Sequence, residues 1–497
     1  MAMNKLSHNG VLIPEPYRPQ GFTIQFRGKS IALNALQEEM AVKFAQKFGT
    51  HYIEDKGFCS NFMKDFAKAL SIKEKIGRDD FDWKPILQWL EQERQRKANM
   101  TKEERKAQAE ERKRIRENNK ARYGYAIVDG QRIELTNYVV EPPGIFLGRG
   151  LHPLRGRWKP AIQTKDVTLN LSPDAPTPPG DWGGRVWRPS EFWVAKWTDK
   201  LTRKVKYVWF HDASPMRQER AREKFELAEQ LEVKIQEVRN HILRNLTSKD
   251  GKRRRVATVV YLIDVFHIRV GDEKETEAGT VGASSLRSEH LRFHNPTSVE
   301  LRFLGKDSIL FDRTVNVSQE AFNNLKEFAA DGGPLFTGIR SNEIKLFLSE
   351  VMPKLSPKVF RTFSATQAFK KQLEVSGITS KSDEEDKRMA LIKANAAVAR
   401  LLNHQRTPQK RWGELYERRR ATLHSLEGGR TKTAEMRRKK LRLRLEEMRL
   451  TKTWNLGTSL RNYIDPRVVV AFCRRVNYDC RAYYSKALAD KFSWADS

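Results

Sequence analysis

Gly28-Lys29-Ser30 is the first triplet in this chain with the composition of a phosphate-binding loop. A P-loop places another glycine five residues before the first of these, so that backbone N–H groups can wrap the phosphates, and that position holds Thr23. Nucleotide binding there is disfavoured. Neither an acidic metal-site motif nor an HxxxH or HExxH metal pair is expected, so metal-assisted phosphoryl transfer loses its usual signatures. The three cysteines, Cys59, Cys473 and Cys480, are odd in number and lack CxxC spacing, which argues against a disulfide framework or a cysteine zinc site and fits a reducing, intracellular compartment. The charge balance indicates the substrate class instead. Lys and Arg total 93 against 62 Asp and Glu, a formal net charge of +31, and the natural partner is a polyanion, nucleic acid first. For breaking a nucleic-acid strand, what remains is a side-chain nucleophile supported by fixed cations that neutralise the developing phosphorane charge.

The elements that would position such groups are legible in outline. Residues 22–33, FTIQFRGKSIAL, alternate around Arg-Gly-Lys and predict a hairpin. From about Lys84 to Arg122 the pattern predicts a charge-rich helix, solvated or DNA-facing. Residues 141–190 are rich in Pro, Gly and Trp and predict loops and short strands, with Arg149, Arg155 and Arg157 among glycines that allow close backbone approach to a ligand. From about residue 215 the chain is strongly helical, interrupted between His294 and Asn316 by strand, Gly305-Lys306-Asp307 turn and strand. Residues 386–404 form a helix ending at Asn403-His404. Residues 409–452 predict two basic helical stretches flanking Glu427-Gly428-Gly429-Arg430, an antiparallel arm projecting from the body. Asp465-Pro466 predicts an N-cap and first helical position.

The string SLRNYIDPR around Tyr463 resembles the active-site tyrosine motif of eukaryotic type IB DNA topoisomerases. HIRVGDEKE, TVGASSLRSEH, FLGKDSI, KVFRTF and LNHQR occur in that family's order, EPPGIF-GRG-HP matches an upstream DNA-embracing loop, and the resemblance runs from about Tyr17 to Trp494. It implies an ATP- and metal-independent enzyme, with no cofactor, that relaxes supercoiled double-stranded DNA through a 3′-phosphotyrosyl intermediate. Carried over position by position, the catalytic set falls on Arg269, Lys306, Arg361, His404 and Tyr463, and Arg149, Asp307 and Asn462 match positions lining the cleavage site and the pocket for camptothecin-type inhibitors. One departure is local: the commoner form has a lysine two residues before the asparagine, whereas this chain has Leu460 and then Arg461.

The chemistry explains the residue types. A phenol has a reference pKa of about 10, so Tyr463 attacks well at neutral pH only if its proton is accepted and its oxyanion supported. Arg269 and Arg361 offer permanently charged forks for non-bridging phosphate oxygens, and His404 a hydrogen bond to one of them. Lys306 is the candidate general acid for the departing 5′ oxygen. The proton acceptor for Tyr463 is either bound water or a side chain. Taken singly, each residue has a plainer explanation: a surface arginine, a turn lysine, a helix-end histidine, a half-buried packing tyrosine. The ordered set of five outweighs those readings.

The implied fold is a multidomain α+β DNA clamp. It would comprise a mixed N-terminal cap domain (1–104), a loop- and strand-rich DNA-embracing domain (105–210), a mainly helical, tyrosine-recombinase-like catalytic domain (211–408), a helical linker arm (409–453) and a small helical C-terminal domain carrying the tyrosine (454–497). No apolar run approaches the roughly 18 residues that span a bilayer, and MAMNKLSHNGVLIPEPY lacks a signal-peptide core, so no membrane partner is expected. A monomer in the nucleus is expected, with Lys252-Arg253-Arg254-Arg255 as an import signal or a DNA-facing stripe. The family's long charged N-terminal tail is absent. In trypanosomatid members the tyrosine segment is a separate chain; that break would fall near 430–458, so an origin from a two-subunit enzyme is the alternative. Two other functions share parts of the pattern: a tyrosine recombinase, which would join two different duplexes, and a non-catalytic architectural protein, which would form no covalent adduct.

Overall fold

The protein is described here from a computed structural model covering residues 2–150, 152–271, 280–428 and 430–496. Part of the HIRVGDEKE and TVGASSLRSEH stretch (272–279), and Gly429 of the arm turn, lie outside the described residues. The chain forms two units, Met1–Arg217 and Gln218–Ser497.

The first unit is mixed, and its two cores interleave in sequence. One gathers Phe44, Phe58, Phe62, Phe66, Trp83 and, from far downstream, Trp158. The other joins Met3, Leu6 and Val11 to Val128, Leu169, Val194 and Phe210. The expected boundary at 104/105 therefore falls between elements that share partners, and lies inside the helix Lys102–Tyr123. The predicted hairpin is present as Thr23–Phe26 paired with Lys29–Ala32. Its turn residues Arg27 (φ 47°) and Gly28 (φ 81°) are both left-handed, the geometry that matches strand twist in a two-residue turn. That is why a Gly-Lys-Ser string sits there. The single helix expected from Lys84 to Arg122 is instead two, Lys84–Asn99 and Lys102–Tyr123. Thr101 stops the first and starts the second: its hydroxyl accepts from Glu104 N–H at 3.1 Å, while the Glu104 carboxylate accepts from Thr101 N–H at 2.8 Å.

The arginines expected among ligand-facing glycines are partly reassigned. Arg155 pairs with Asp55 at 2.8 Å and Arg157 with Asp65 at 2.7 Å. Gly156 (φ +88°) serves the same internal packing, since a Cβ there would lie 2.1 Å from the Phe58 carbonyl oxygen.

In the second unit the helix Gly251–Phe266 is almost wholly apolar beyond its first turn and forms the spine of a core with Leu291, Val299, Leu301, Phe303, Phe336 and Phe360. The basic cluster at its start is engaged within the fold: Arg253 bridges to Glu350 at 2.6 Å, Arg254 pairs with Glu327, and Arg255 lies 4.6 Å over the Phe328 ring. Lys252, the first residue of the cluster, is exposed. The interruption in the helices holds three antiparallel strands rather than two, Leu291–His294, Ser298–Gly305 and Ile309–Asn316. Leu291 pairs with Leu301, and its short strand was too brief for its alternation to stand out. His290 and His294 are four residues apart, but they fall on a 3-10 turn and a strand, and His294 Nε2 lies 3.2 Å from Glu300. Among the described residues no group of three or more His, Cys, Asp or Glu could hold a metal ion, and no helix is long and apolar enough to cross a membrane.

A further core packs the helices Pro357–Glu374 and Glu384–Leu401 against the C-terminal segment through Phe369, Leu391, Val398, Leu460, Ile464, Val469 and Phe472. The arm is the expected pair of helices, Trp412–Ser425 and Lys432–Thr451, with Trp412 stacked on Tyr416 at 4.9 Å. It does not simply project. Its second helix is tied to the acidic start of Glu384–Leu401: Lys439 to Asp386 at 2.6 Å, Lys440 to Glu385 at 3.2 Å, and Arg388 to Glu447 at 2.9 Å.

Candidate active site

The nucleophile candidate is placed by two short helices that the sequence caps explicitly. Asn455 caps Leu456–Asn462, and Asp465, with Pro466 at the first helical position, caps Pro466–Arg475. Tyr463 lies between them, 7% exposed, with its amide on the Ser459 carbonyl at 2.9 Å and its own carbonyl accepting from Thr366 Oγ1 at 3.3 Å. Burial of an aromatic ring of this size supplies about 1.5–3 kcal/mol, so the same packing that stabilises the C-terminal segment fixes the phenol.

Arg361 reaches the site from the helix Pro357–Glu374. Its guanidinium carbon is 4.9 Å from the Tyr463 ring centroid, Nη2 donates to the Leu402 carbonyl at 3.0 Å, and the residue is 4% exposed. Its Nε and Nη1 are buried and have no hydrogen-bond partner among the described residues. A buried fork with two unanswered donors suits an anion. Burial, reinforced by Arg269 and opposed by Tyr463, pushes the Arg361 pKa down to about 10, which leaves it cationic at neutral pH.

His404 follows the helix Glu384–Leu401, beyond a left-handed turn at Asn403 (φ 54°). It is 6% exposed, its ring is 5.1 Å from that of Tyr463, Nδ1 contacts Ser459 Oγ at 2.8 Å, and Nε2 is buried with no hydrogen-bond partner among the described residues. Burial, then Arg361 and Arg269, push its pKa down to about 3, so the imidazole is neutral under physiological conditions. Arg269 stands exposed three residues after the helix Gly251–Phe266 ends in left-handed His267 (φ 55°). It is presented by two backbones in close contact: a Cβ on Gly271 (φ +82°) would lie 2.3 Å from Gly282 Cα.

Lys306 occupies the turn between the two long strands, where Gly305 pairs with Ile309 and Asp307 (φ 66°) and Ser308 (φ 57°) reverse the chain. This hairpin is pinned to the His404 segment. Asn403 Nδ2 donates to Leu310 O at 3.0 Å, and Arg313 donates from Nη1 to Leu401 O at 3.0 Å and from Nη2 to Arg400 O at 2.9 Å. One cleft is lined by Arg269, Lys306, Asp307, Arg361 and His404, with Asn455 and Thr458 on its tyrosine side.

Tyr463 experiences opposing influences. Burial favours the neutral phenol, but the combined field of Arg361, Arg269, Lys358 and Lys306 outweighs it and lowers the pKa below the ordinary tyrosine value. The other matched positions divide. Asp307 lines the cleft. Asn462 turns its side-chain amide back to Thr458 O at 3.0 Å, and its carbonyl accepts from Lys224 Nζ at 2.8 Å. Arg149 belongs to the first unit and is exposed. Leu460, at the variant motif position, is buried in the core while Arg461 is exposed, so the cation moves to another face of the same helix.

Sequence reasoning missed Ser459, Lys224, Arg313 and Lys358. Ser459 and Arg313 meet partners 55 and 88 residues away, which no local pattern announces. Only Lys358, one turn before Arg361 on the same helix, carried a readable signal.

Known proteins resemble the chain throughout. It matches a family model described as the eukaryotic DNA topoisomerase I DNA binding fragment over residues 1–210, one described as its catalytic core over 213–437, and one described as a C-terminal topoisomerase domain over 435–497. DNA topoisomerase 1 beta of Arabidopsis thaliana is 34% identical, over 99% of this chain and 58% of the relative. DNA topoisomerase 1 of Homo sapiens is 32% identical, over 99% and 70%. DNA topoisomerase I, mitochondrial, of Pan troglodytes is 31% identical, over 99% and 89%. The chain thus spans less than two thirds of the length of its plant relatives.

Proposed function

Because this chain belongs to the eukaryotic DNA topoisomerase I family, we propose that it relaxes supercoiled duplex DNA by a type IB reaction at Tyr463. The carrying observation is the buried Arg361 fork, 4.9 Å from the Tyr463 ring centroid, with two donors unanswered among the described residues. In the reaction Tyr463 Oη attacks the scissile phosphorus and the P–O5′ bond breaks. The 3′ end becomes a phosphotyrosyl ester and the 5′ end a hydroxyl. Arg361 and Arg269 hold non-bridging oxygens, His404 donates Nε2–H to one of them, and Lys306 protonates O5′ as it leaves. The proton of Tyr463 Oη passes to bound water or to a side chain. Religation reverses each step. Ester is exchanged for ester at similar energy, so neither ATP nor metal is required.

The same reading carries the finer assignments. Arg149, Asp307 and Asn462 are proposed to line the cleavage site, where camptothecin-type inhibitors would stack. Residues 1–210 together are proposed as the DNA-embracing part, and 211–408, 409–453 and 454–497 as the catalytic, arm and tyrosine-bearing parts, acting as a monomer on double-stranded DNA. A nuclear site of action is proposed from the family. One relative is named as mitochondrial, and cell fractionation would separate the two compartments.

The direct test is plasmid relaxation in EDTA without ATP, followed by detergent trapping. The chain should relax the plasmid and leave a protein–DNA adduct, and Tyr463→Phe should do neither while keeping salt-dependent binding. Relaxation by Tyr463→Phe near the unaltered rate would remove the assignment.

A further inference from the structure

Ser459 is wholly buried in the helix before the nucleophile, and it touches both halves of the candidate chemistry. Its carbonyl accepts the amides of Tyr463 at 2.9 Å and Ile464 at 3.1 Å, and its hydroxyl lies 2.8 Å from His404 Nδ1. The His404 carbonyl in turn accepts the amide of Asn455 at 2.7 Å, so the histidine and the tyrosine helix are joined at both main chain and side chain. His404 lines the cleft with Arg269, Lys306 and Arg361, and its Nε2 is buried with no hydrogen-bond partner among the described residues.

A neutral imidazole has one N–H, and which nitrogen carries it is set by the hydrogen bond the other makes. Two arrangements are open. If Nδ1–H donated to Ser459 Oγ, the cleft-facing Nε2 would present a lone pair and repel a phosphate oxygen. If Ser459 donates to Nδ1, Nε2 carries the proton and can donate. The hydroxyl makes no other described hydrogen bond, so it is free to rotate into the second arrangement.

We propose that Ser459 is a positioning residue: its hydroxyl donates to His404 Nδ1 and holds the imidazole in the Nε2–H tautomer that donates to a non-bridging oxygen of the scissile phosphate. The proposal deepens the topoisomerase reading and rests on it. It assigns Ser459 no contact with DNA; its effect passes entirely through His404. A hydroxyl suits this place because a carboxylate would raise the imidazole pKa and favour the doubly protonated ring, whereas alanine would leave the tautomer unset.

The experiment is single-turnover cleavage of a duplex oligonucleotide by the full chain and by Ser459→Ala, His404→Ala and the double variant. Ser459→Ala keeps the carbonyl on which Tyr463 and Ile464 rest, and its melting temperature, measured alongside, reports any loss of packing. Ser459→Ala should slow cleavage by about 10- to 100-fold, taking as a guide the loss seen when the partner that orients a metal-ligating histidine is removed. Added to His404→Ala, it should cost less than about twofold more, because the two losses share one pathway. A second readout separates orientation from packing. Substrates carrying one non-bridging sulfur in either configuration should show a preference between diastereomers that His404→Ala abolishes, and Ser459→Ala should abolish the same preference. Multiplicative losses in the double variant, or an unaltered rate for Ser459→Ala, would overturn the assignment. Absence of any adduct with the unaltered chain would overturn the topoisomerase reading and the Ser459 proposal with it.

Discussion

Around Tyr463 the decisive feature is charge held in a fixed geometry rather than a conventional base, since four cations lower its pKa against the pull of burial. Arg361 is the member whose fork is already oriented, with one arm bonded to Leu402 O at 3.0 Å and two donors left over. Arg361→Ala should therefore depress single-turnover cleavage by about 100- to 1,000-fold, the usual loss for one oxyanion-type donor. Arg361→Lys should recover little, because a point charge cannot span two oxygens; full recovery would mean that charge alone suffices. Lys306 is assigned a different task, and the two can be told apart. Lys306→Ala should slow cleavage of ordinary DNA by roughly 100- to 10,000-fold. With sulfur replacing the bridging 5′ oxygen, the leaving thiolate needs no proton and the variant should approach the unaltered rate. Arg269→Ala should gain much less from that sulfur, and equal rescue of both, or of neither, would take the general-acid role from Lys306. The five principal residues were legible because their motifs occur in order. Ser459 and Lys224 were not, because a buried serine or a half-buried lysine in a helix has no signature until its distant partner is known: His404 for the first, the Asn462 carbonyl for the second.

At the level of elements, the hairpin bearing Lys306 and the helix leading to His404 are locked together by Arg313 and Asn403, which satisfy carbonyls of the neighbouring segments. Strand, turn and helix were each readable from alternation and turn residues, but the cross-links were not, because they join residues about 90 positions apart. The arm shows the same limit. Its helices were evident from composition, whereas its docking depends on the acidic run at Asp383–Asp386 meeting Lys439 and Lys440. The arm's charges consequently fall into two sets. Lys432, Arg437 and Arg442 are exposed, with no ion-pair partner among the described residues, while Lys439 and Lys440 are already paired. Neutralising the first three should flatten the dependence of log affinity on log salt by up to about 0.9 for each DNA phosphate that is no longer neutralised. Neutralising Lys439 and Lys440 should change that slope less. DNA binding measured from about 50 to 200 mM salt distinguishes the sets, and equal slope changes would contradict the division.

For the whole molecule, the +31 charge favours a polyanionic partner, and each of the two units carries its own packed cores. Both units also carry histidines held neutral, His8 and His404 buried and His267 half-buried. Burial pushes His8 in the first unit down to about 4, and His267 and His404 in the second to about 4 and about 3, from an ordinary value of 6.5. In each case the folded pKa is depressed, so the unfolded chain binds more protons as pH falls below 6.5. The stability contribution is full above that pH and is lost on the way down to 3–4. Melting temperature should accordingly fall between about pH 7.5 and pH 4.5, and an unchanged or higher value at the acid end would contradict the burial of these rings as neutral groups. What remained hidden in the sequence at this scale was the interleaving of the first unit, because Leu6 and Trp158 each join a core built mostly from the other side of the expected boundary. The central claim, a metal-free covalent step at one tyrosine, is tested most directly by locating the covalent bond. Cleavage of a duplex oligonucleotide in EDTA without ATP, quenched with detergent and digested with protease, should yield one DNA-linked peptide in which Tyr463 carries the 3′ phosphate. Attachment to another residue, linkage through the 5′ phosphate, or an adduct that forms only when a divalent metal is added would contradict the account.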